Sequence, residues 1–223
     1  MFSKALSFLS DAMDRALAKL EAFNVTDYAR NVSIGFTRRI NRTNDNATRK
    51  NLKNGLGIDL QQQISHENID EALNMAIKNN VALIKSIKTD YISDIGDVLR
   101  KNVLEGGRST NLITQIKERG GVHEDRAKFI ARDQTTKINA DLTEIRSKAL
   151  GSTTYTWSGS MDERERTSHK ALQGMLCKWS DPTVYSDDNG KTWKKRSEIG
   201  AVELNAGRDY QCRCVALPVV SWG

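Results

Sequence analysis

The sequence predicts an α+β protein: a helical N-terminal part built from long amphipathic helices, followed by a small α+β C-terminal module with short antiparallel strands. Two observations predict it. All four tryptophans, both prolines and all three cysteines lie after residue 150, and a long proline-free stretch suits uninterrupted helices, because proline is the strongest helix breaker. The apolar pattern also changes near Gly151, from recurrences of three and four to alternation, which are the repeats of helix and strand. Three segments follow: residues 1–60 as an N-terminal helix and basic arm, 61–150 as a helical domain, and 151–223 as the C-terminal module.

Phe2, Leu6, Leu9, Met13, Ala16, Leu20 and Phe23 alternate in steps of four and three, the seam of a helix that packs on another helix. The partner is either the chain's own domain or a second molecule, so residues 2–23 are a candidate surface for self-association. The next stretch, "GFTRRINRTNDNATRKNLKNGLG", is rich in Asn, Gly and Thr. These residues compete with helical hydrogen bonding and favour turns, which predicts a loop-rich arm with broken helical pieces. From Arg30 to Lys53 seven basic residues face a single aspartate, Asp45, so this stretch carries the whole of the net charge of +6. Arg38, Arg39, Arg42, Arg49, Lys50 and Lys53 are candidate contacts to nucleic-acid phosphates. Phe36 is the only aromatic side chain among them, so base stacking and sequence readout are not expected.

Helical spacing returns from about Ser65 to Glu105, with Ile84, Ile87, Tyr91, Ile95 and Val98 on one stripe and Gly106-Gly107 as its end. Ser109 or Thr110 can cap a short helix carrying Leu112, Ile113 and Ile116, which Gly120-Gly121 closes. A further helix is expected from Glu124 to Leu150, with Ala127, Ile130, Ile138, Leu142, Ile145 and Ala149 inward and Arg132 and Gln134 polar amid the stripe. His66 and His123 fall in expected helix-start segments and read as surface residues. After Gly151, "TTYTW" alternates as a strand does, Asn189-Gly190 signals a hairpin turn between Tyr185 and Trp193, and "CRCVALPVV" is a short β-rich run.

No window approaches the roughly 18 consecutive apolar residues that span a membrane, and Asp11, Asp14 and Glu21 do not suit a secretory signal. A soluble protein made in the cytosol is therefore expected. Three cysteines, an odd number, argue against a disulfide framework.

Chemistry-bearing side chains concentrate in "SMDERERTSHKALQG", residues 160–174. Three readings compete for it. His169 with Cys177, Cys212 and Cys214 has ligand types that suit zinc, although C-x-C is not the usual zinc-knuckle spacing. His169 oriented by Asp162, with Arg164 or Arg166 holding an anion, suits a small metal-dependent hydrolase or nuclease. The third reading is a polar clasp: Asp162 and Glu163 in the first turn of a helix whose apolar side holds Ala171 and Leu172 and whose end is Gly174, with the arginines and His169 tying loops together. The clasp is the reading adopted, without metal, cofactor or catalytic residue.

The order "YTWSGSMDERERTSHKALQGMLCKWSDP", then "RDYQCRCVALPVV" about thirty residues later, resembles the phage Mu protein F-like family of minor head, or head morphogenesis, proteins. That family shows an aromatic strand, Asp-x-Arg-x-Arg-x-x-His, a small leucine-glycine segment, and His-Pro-x-Cys-Arg-Cys before an apolar strand. Asp162, Arg164, Arg166, His169, Leu172 and Gly174 match the first part, and Cys212, Arg213 and Cys214 match the second. The likeness runs over roughly residues 60 to 220, including "GRS" and "IARDQT". Two positions depart: Asp209 stands where the family commonly has histidine, and Gln134 where it commonly has glutamate. Asp209 can still ligate a metal or pair with an arginine, whereas Gln134 can only hydrogen-bond. The resemblance implies a virion protein present in few copies, at the portal vertex or inside the head, made in the host cytoplasm, with portal or capsid proteins as partners and a contact to packaged DNA. Related C-terminal domains also occur joined to toxin and nuclease modules, which raises the enzymatic alternative read from His169 and Asp162.

Overall fold

A computed structural model of the chain describes residues 24–56, 69–104 and 109–220, together with Arg15, Ala18, Lys19 and Ala22. The seven seam residues between Phe2 and Phe23, and His66, lie outside the described residues. Three long helices, α1 (Val25–Leu56), α2 (Asp70–Leu104) and α3 (Ser109–Ala149), precede a sheet of five short strands. Among the described residues no helix is long and apolar enough to cross a membrane. The chain forms two compact units, one of residues 1–35 and 77–131, the other of residues 36–76 and 132–223.

In the first unit Ala29, Ile95 and Val98 are buried. His123 is buried as well, not at the surface as its sequence context suggested. Its Nε2 lies 3.1 Å from Asp94 Oδ2 and its ring meets Tyr91 edge-on with centroids 5.1 Å apart. Arg126 pairs with Asp90 nearby. These contacts lie just after Gly120-Gly121 and help explain why α3 runs unbroken through a pair expected to end a helix. Two interior glycines cost about 2 kcal/mol relative to alanine, and packing along a 41-residue helix outweighs that penalty.

The second unit corrects the expectation of a loop-rich arm, because residues 36–56 continue α1 as regular helix. Its buried face is Thr37, Ile40 and Asn44, spaced by three and four. Two of the three are polar, so the stripe does not register as apolar. The partners of Asn44 come from α3. Asn44 Nδ2 donates to Asn139 Oδ1 (2.8 Å) and Thr143 Oγ1 (2.9 Å). Arg146, 2 % exposed, gives its guanidinium to Asn44 Oδ1 and to Asn41 Oδ1 (2.8 Å). Ile40, Ile138 and Leu142 form the apolar centre beside this ladder, with Phe36, Ile69 and Leu73 against it.

The sheet is antiparallel throughout, in the order β4-β3-β2-β1-β5: β1 is Thr154–Ser158, β2 Leu176–Lys178, β3 Val184–Ser186, β4 Lys194–Lys195 and β5 Val215–Val219. Alternation in β1 turns Tyr155 and Trp157 into the core with Leu172, Cys177, Trp179, Tyr185, Cys212 and Cys214. Between β3 and β4, Asn189 and Gly190 both take positive φ (59° and 87°), as the turn signal predicts. The fully buried Arg196 sits in a 3₁₀ turn (Arg196–Ile199). A buried guanidinium needs acceptors; it donates to the carbonyls of Val184 (3.1 Å), Val202 (3.1 Å) and Leu204 (2.9 Å) and to Tyr155 Oη (3.4 Å).

Gly207, at φ 83°, brings the chain so close to α3 that an added Cβ would stand 2.8 Å from Ala140 Cβ. Gly174 has a similar φ of 74° but open space around it. Gly174→Ala is therefore expected to cost only the left-handed backbone term, about 1–2 kcal/mol, and Gly207→Ala to add an overpacking cost of about 1–3 kcal/mol. Denaturant unfolding of the two variants checks this, and equal losses would remove the close-approach argument.

Candidate functional site

Two short segments build the site. The first follows β1. Asp162 Oδ1 accepts the Arg164 N–H (3.0 Å) and closes a local turn, so Asp162 and Glu163 precede the helix and do not form its first turn. The helix is the single turn α4 (Thr167–Lys170), which carries His169 inward at 2 % exposure. Gly174 ends the segment in the left-handed region and donates its N–H to Trp157 O (2.9 Å), which returns the chain to the sheet as β2.

The second segment leads into β5. Gln211, at φ 50°, gives its N–H to Asp133 Oδ1 on α3 (2.9 Å). Beyond it Cys212 and Cys214 are buried and Arg213 is exposed, the alternation expected of extended chain.

His169 joins the segments. Its Nε2 lies 2.9 Å from Asp209 Oδ2, and its Nδ1 lies 3.3 Å from Cys214 Sγ and 3.6 Å from Cys212 Sγ. The Trp157 ring packs edge-on against the imidazole, centroids 5.8 Å apart. Arg166 reaches from the start of α4 to Asp209 Oδ2 and to Tyr210 O, both at 2.6 Å. Arg213 grips Asp162 through both guanidinium nitrogens. Asp209, the departure noted in the sequence, thus pairs with both an arginine and the histidine. Glu165, buried between the two arginines of the motif, holds the Met161 N–H (2.7 Å) and stands 3.6 Å from Cys214 Sγ. Its position inside Asp-x-Arg-Glu-Arg is the one signal in the sequence that marks it.

Ionisation follows these contacts. Burial works against the Asp209 charge, but the Tyr210 N–H, His169 and Arg166 outweigh it and lower its pKa. Arg213 chiefly, with the Arg164 N–H, holds the Asp162 carboxyl down at about 2. Hydrogen bonding between the two thiols favours the charge on Cys212, with the Cys214 and Gly207 N–H groups and His169 adding to it against burial. The same bond, burial and the Cys212 and Glu165 charges push Cys214 up.

Asp162 bonds Arg213 while His169 bonds Asp209, so the His169–Asp162 pair considered from sequence has its members in separate contacts. Cys177 also stands apart from the other two cysteines: its thiol donates weakly to Met175 O (3.8 Å). A cleft of about 610 Å³ opens over the site, lined by Arg132, Arg164, Arg166 and Arg213 together with Glu165, His169, Cys212 and Cys214. Of the basic residues on α1, Arg38, Arg39, Arg42, Lys50 and Lys53 are exposed, and Arg49 is half-buried and paired with Asp45 at 2.9 Å.

A family model described as "Phage Mu protein F like protein" matches residues 93–217. An uncharacterised protein of Haemophilus influenzae is 35 % identical over 210 residues, covering 94 % of this chain and 43 % of that protein. The chain therefore spans less than half the length of that relative. No solved structure matches the chain.

The Asp162–Arg213 grip has a testable acid signature. A carboxyl whose folded pKa is depressed contributes stability that is present above its ordinary pKa of 3.8 and lost as pH falls through the folded value of about 2. Side-chain carboxyl titration by NMR should place Asp162 near the lower value, and Arg213→Ala should return it toward the ordinary one. Titration of the unmodified chain near 3.8 would mean that the pairing does not hold in solution.

Proposed function

Because the chain belongs to the phage Mu protein F-like family, a family of phage head morphogenesis, we propose that it is a minor head protein of a tailed bacteriophage that docks on the portal or the capsid interior and contacts packaged DNA. The family match over residues 93–217 carries the reading. The basic face of α1 supports its DNA part. At 100° per residue, Arg38, Arg42, Arg49 and Lys53 fall on one narrow stripe, Arg39 and Lys50 flank it, and the buried Thr37, Ile40 and Asn44 occupy the far side. From Arg38 to Lys53 the stripe is about 22 Å long, enough to follow several phosphates of a duplex. Helical order makes this a better electrostatic surface than the expected loop, since the charges are held on one side before DNA arrives.

A hydrolase built on His169 with Asp162 has less support, because each of the two is committed to a different partner.

The head-protein reading is tested by mass spectrometry of purified procapsids and mature heads from a phage carrying this gene, where a few copies per particle are expected. Absence from both particles would overturn it. For the DNA contact, duplex binding should be independent of sequence and weaken with salt by about 0.9 log units per log unit of salt for each phosphate neutralised. The triple variant Arg38→Glu, Arg39→Glu, Arg42→Glu should lower that slope. An unchanged slope would overturn the DNA contact and leave the stripe as a solvated or portal-facing surface.

A further inference from the structure

We infer that His169 Nδ1, Cys212 Sγ and Cys214 Sγ bind one zinc ion, with the fourth coordination position open to the arginine-lined cleft. The inference goes beyond the head-assembly reading and does not depend on it. The three donor atoms lie within 4.8 Å of one another, and the two sulfurs approach the imidazole Nδ1 at 3.3 and 3.6 Å. With Zn–S of about 2.3 Å and Zn–N of about 2.0–2.1 Å, the edges of a tetrahedral site measure about 3.5–3.8 Å. The two nitrogen–sulfur edges of one face are thus already in place to within a few tenths of an ångström, and the third edge closes within 4.8 Å.

The surroundings fit the same ion. Asp209 faces His169 Nε2 at 2.9 Å and keeps the ring proton there, which turns the Nδ1 lone pair toward the two sulfurs. A metal-bound histidine commonly gives its other nitrogen to a carboxylate in this way. Arg166 in turn fixes Asp209, so the ligand is oriented through two shells. The Cys214 N–H donates to Cys212 Sγ (3.4 Å), a bond that steadies a thiolate. Hydrogen bonding alone accounts poorly for the arrangement, because thiols are weak donors and weak acceptors and two of them converge here on one buried ring nitrogen. Two cysteines and a histidine are a donor set that selects zinc over the hard cations. All three donors border the cleft that Arg132, Arg164, Arg166 and Arg213 also line, which leaves room for a solvent ligand at the remaining corner.

Elemental analysis of the full chain, produced in zinc-supplemented medium, should find about one zinc per molecule, and none in the Cys212→Ser, Cys214→Ser double variant. Because that variant can fail to fold, cobalt(II) titration of the unmodified chain provides a second measurement: a thiolate-to-metal charge-transfer band is expected, saturating at one equivalent. Asp209→Asn, a positioning change, should keep the band and weaken binding about 10–100-fold, while Cys177→Ala should leave binding unchanged. A zinc-free protein with no thiolate band, or zinc retained by the double cysteine variant, would overturn the assignment.

Discussion

Each ring nitrogen of a buried imidazole that lacks a partner costs stability, and much of the C-terminal module is arranged around that demand at His169. The partners are not local. Asp209 lies 40 residues along the chain and Cys214 lies 45, so meeting the requirement forces the loop after the 3₁₀ turn to come back across α4. Once it has done so, the chain leaves Cys214 already aligned with β1, and β5 pairs from Val215 to Val219 against Ser158 to Thr154. The position of the last strand is thus coupled to the solvation of one side chain.

The same loop is also stitched to α3. Gln211 gives its N–H to Asp133, Arg208 reaches Glu144 and Asp141, and Gly207 lies against Ala140. These contacts are not equivalent. The half-exposed Arg208 contributes at most about 1 kcal/mol through each ion pair, whereas Asp133 is 8 % exposed and accepts the Gln211 N–H from this buried position. Steric fit at Gly207 and the buried acceptor at Asp133 therefore hold the register, and the surface charges adjust to it.

Much of this was legible in the sequence, for physical reasons that differ by element. The strand at "TTYTW" announced itself because Tyr155 and Trp157 alternate with small polar residues, and the Asn189-Gly190 turn because few other residues accept positive φ. The residues of the clasp could be named from their motif, but not their pairing: Asp162 meets Arg213, and His169 meets Asp209, across gaps in sequence that no local pattern encodes. The helix through residues 36–56 was misread for a related reason. Asn44 looks like a loop residue until its partners are known, and those partners, Asn139, Thr143 and Arg146, lie about a hundred residues away. The continuous α3 shows the converse, since Gly120-Gly121 is a strong local stop signal that long-range packing overrides.

The alternation of Cys212, Arg213 and Cys214 imposes a parity rule on the loop. Two cysteines are buried and the arginine between them is exposed. Inserting one residue between Gln211 and Cys212 would exchange the two sides, turning a cation toward the core and two thiols toward water. Substitutions at single positions disturb only their own contacts. Variation in this segment is thus constrained in length more tightly than in composition, and any natural change of loop length should come in even steps or fall upstream of Gly207.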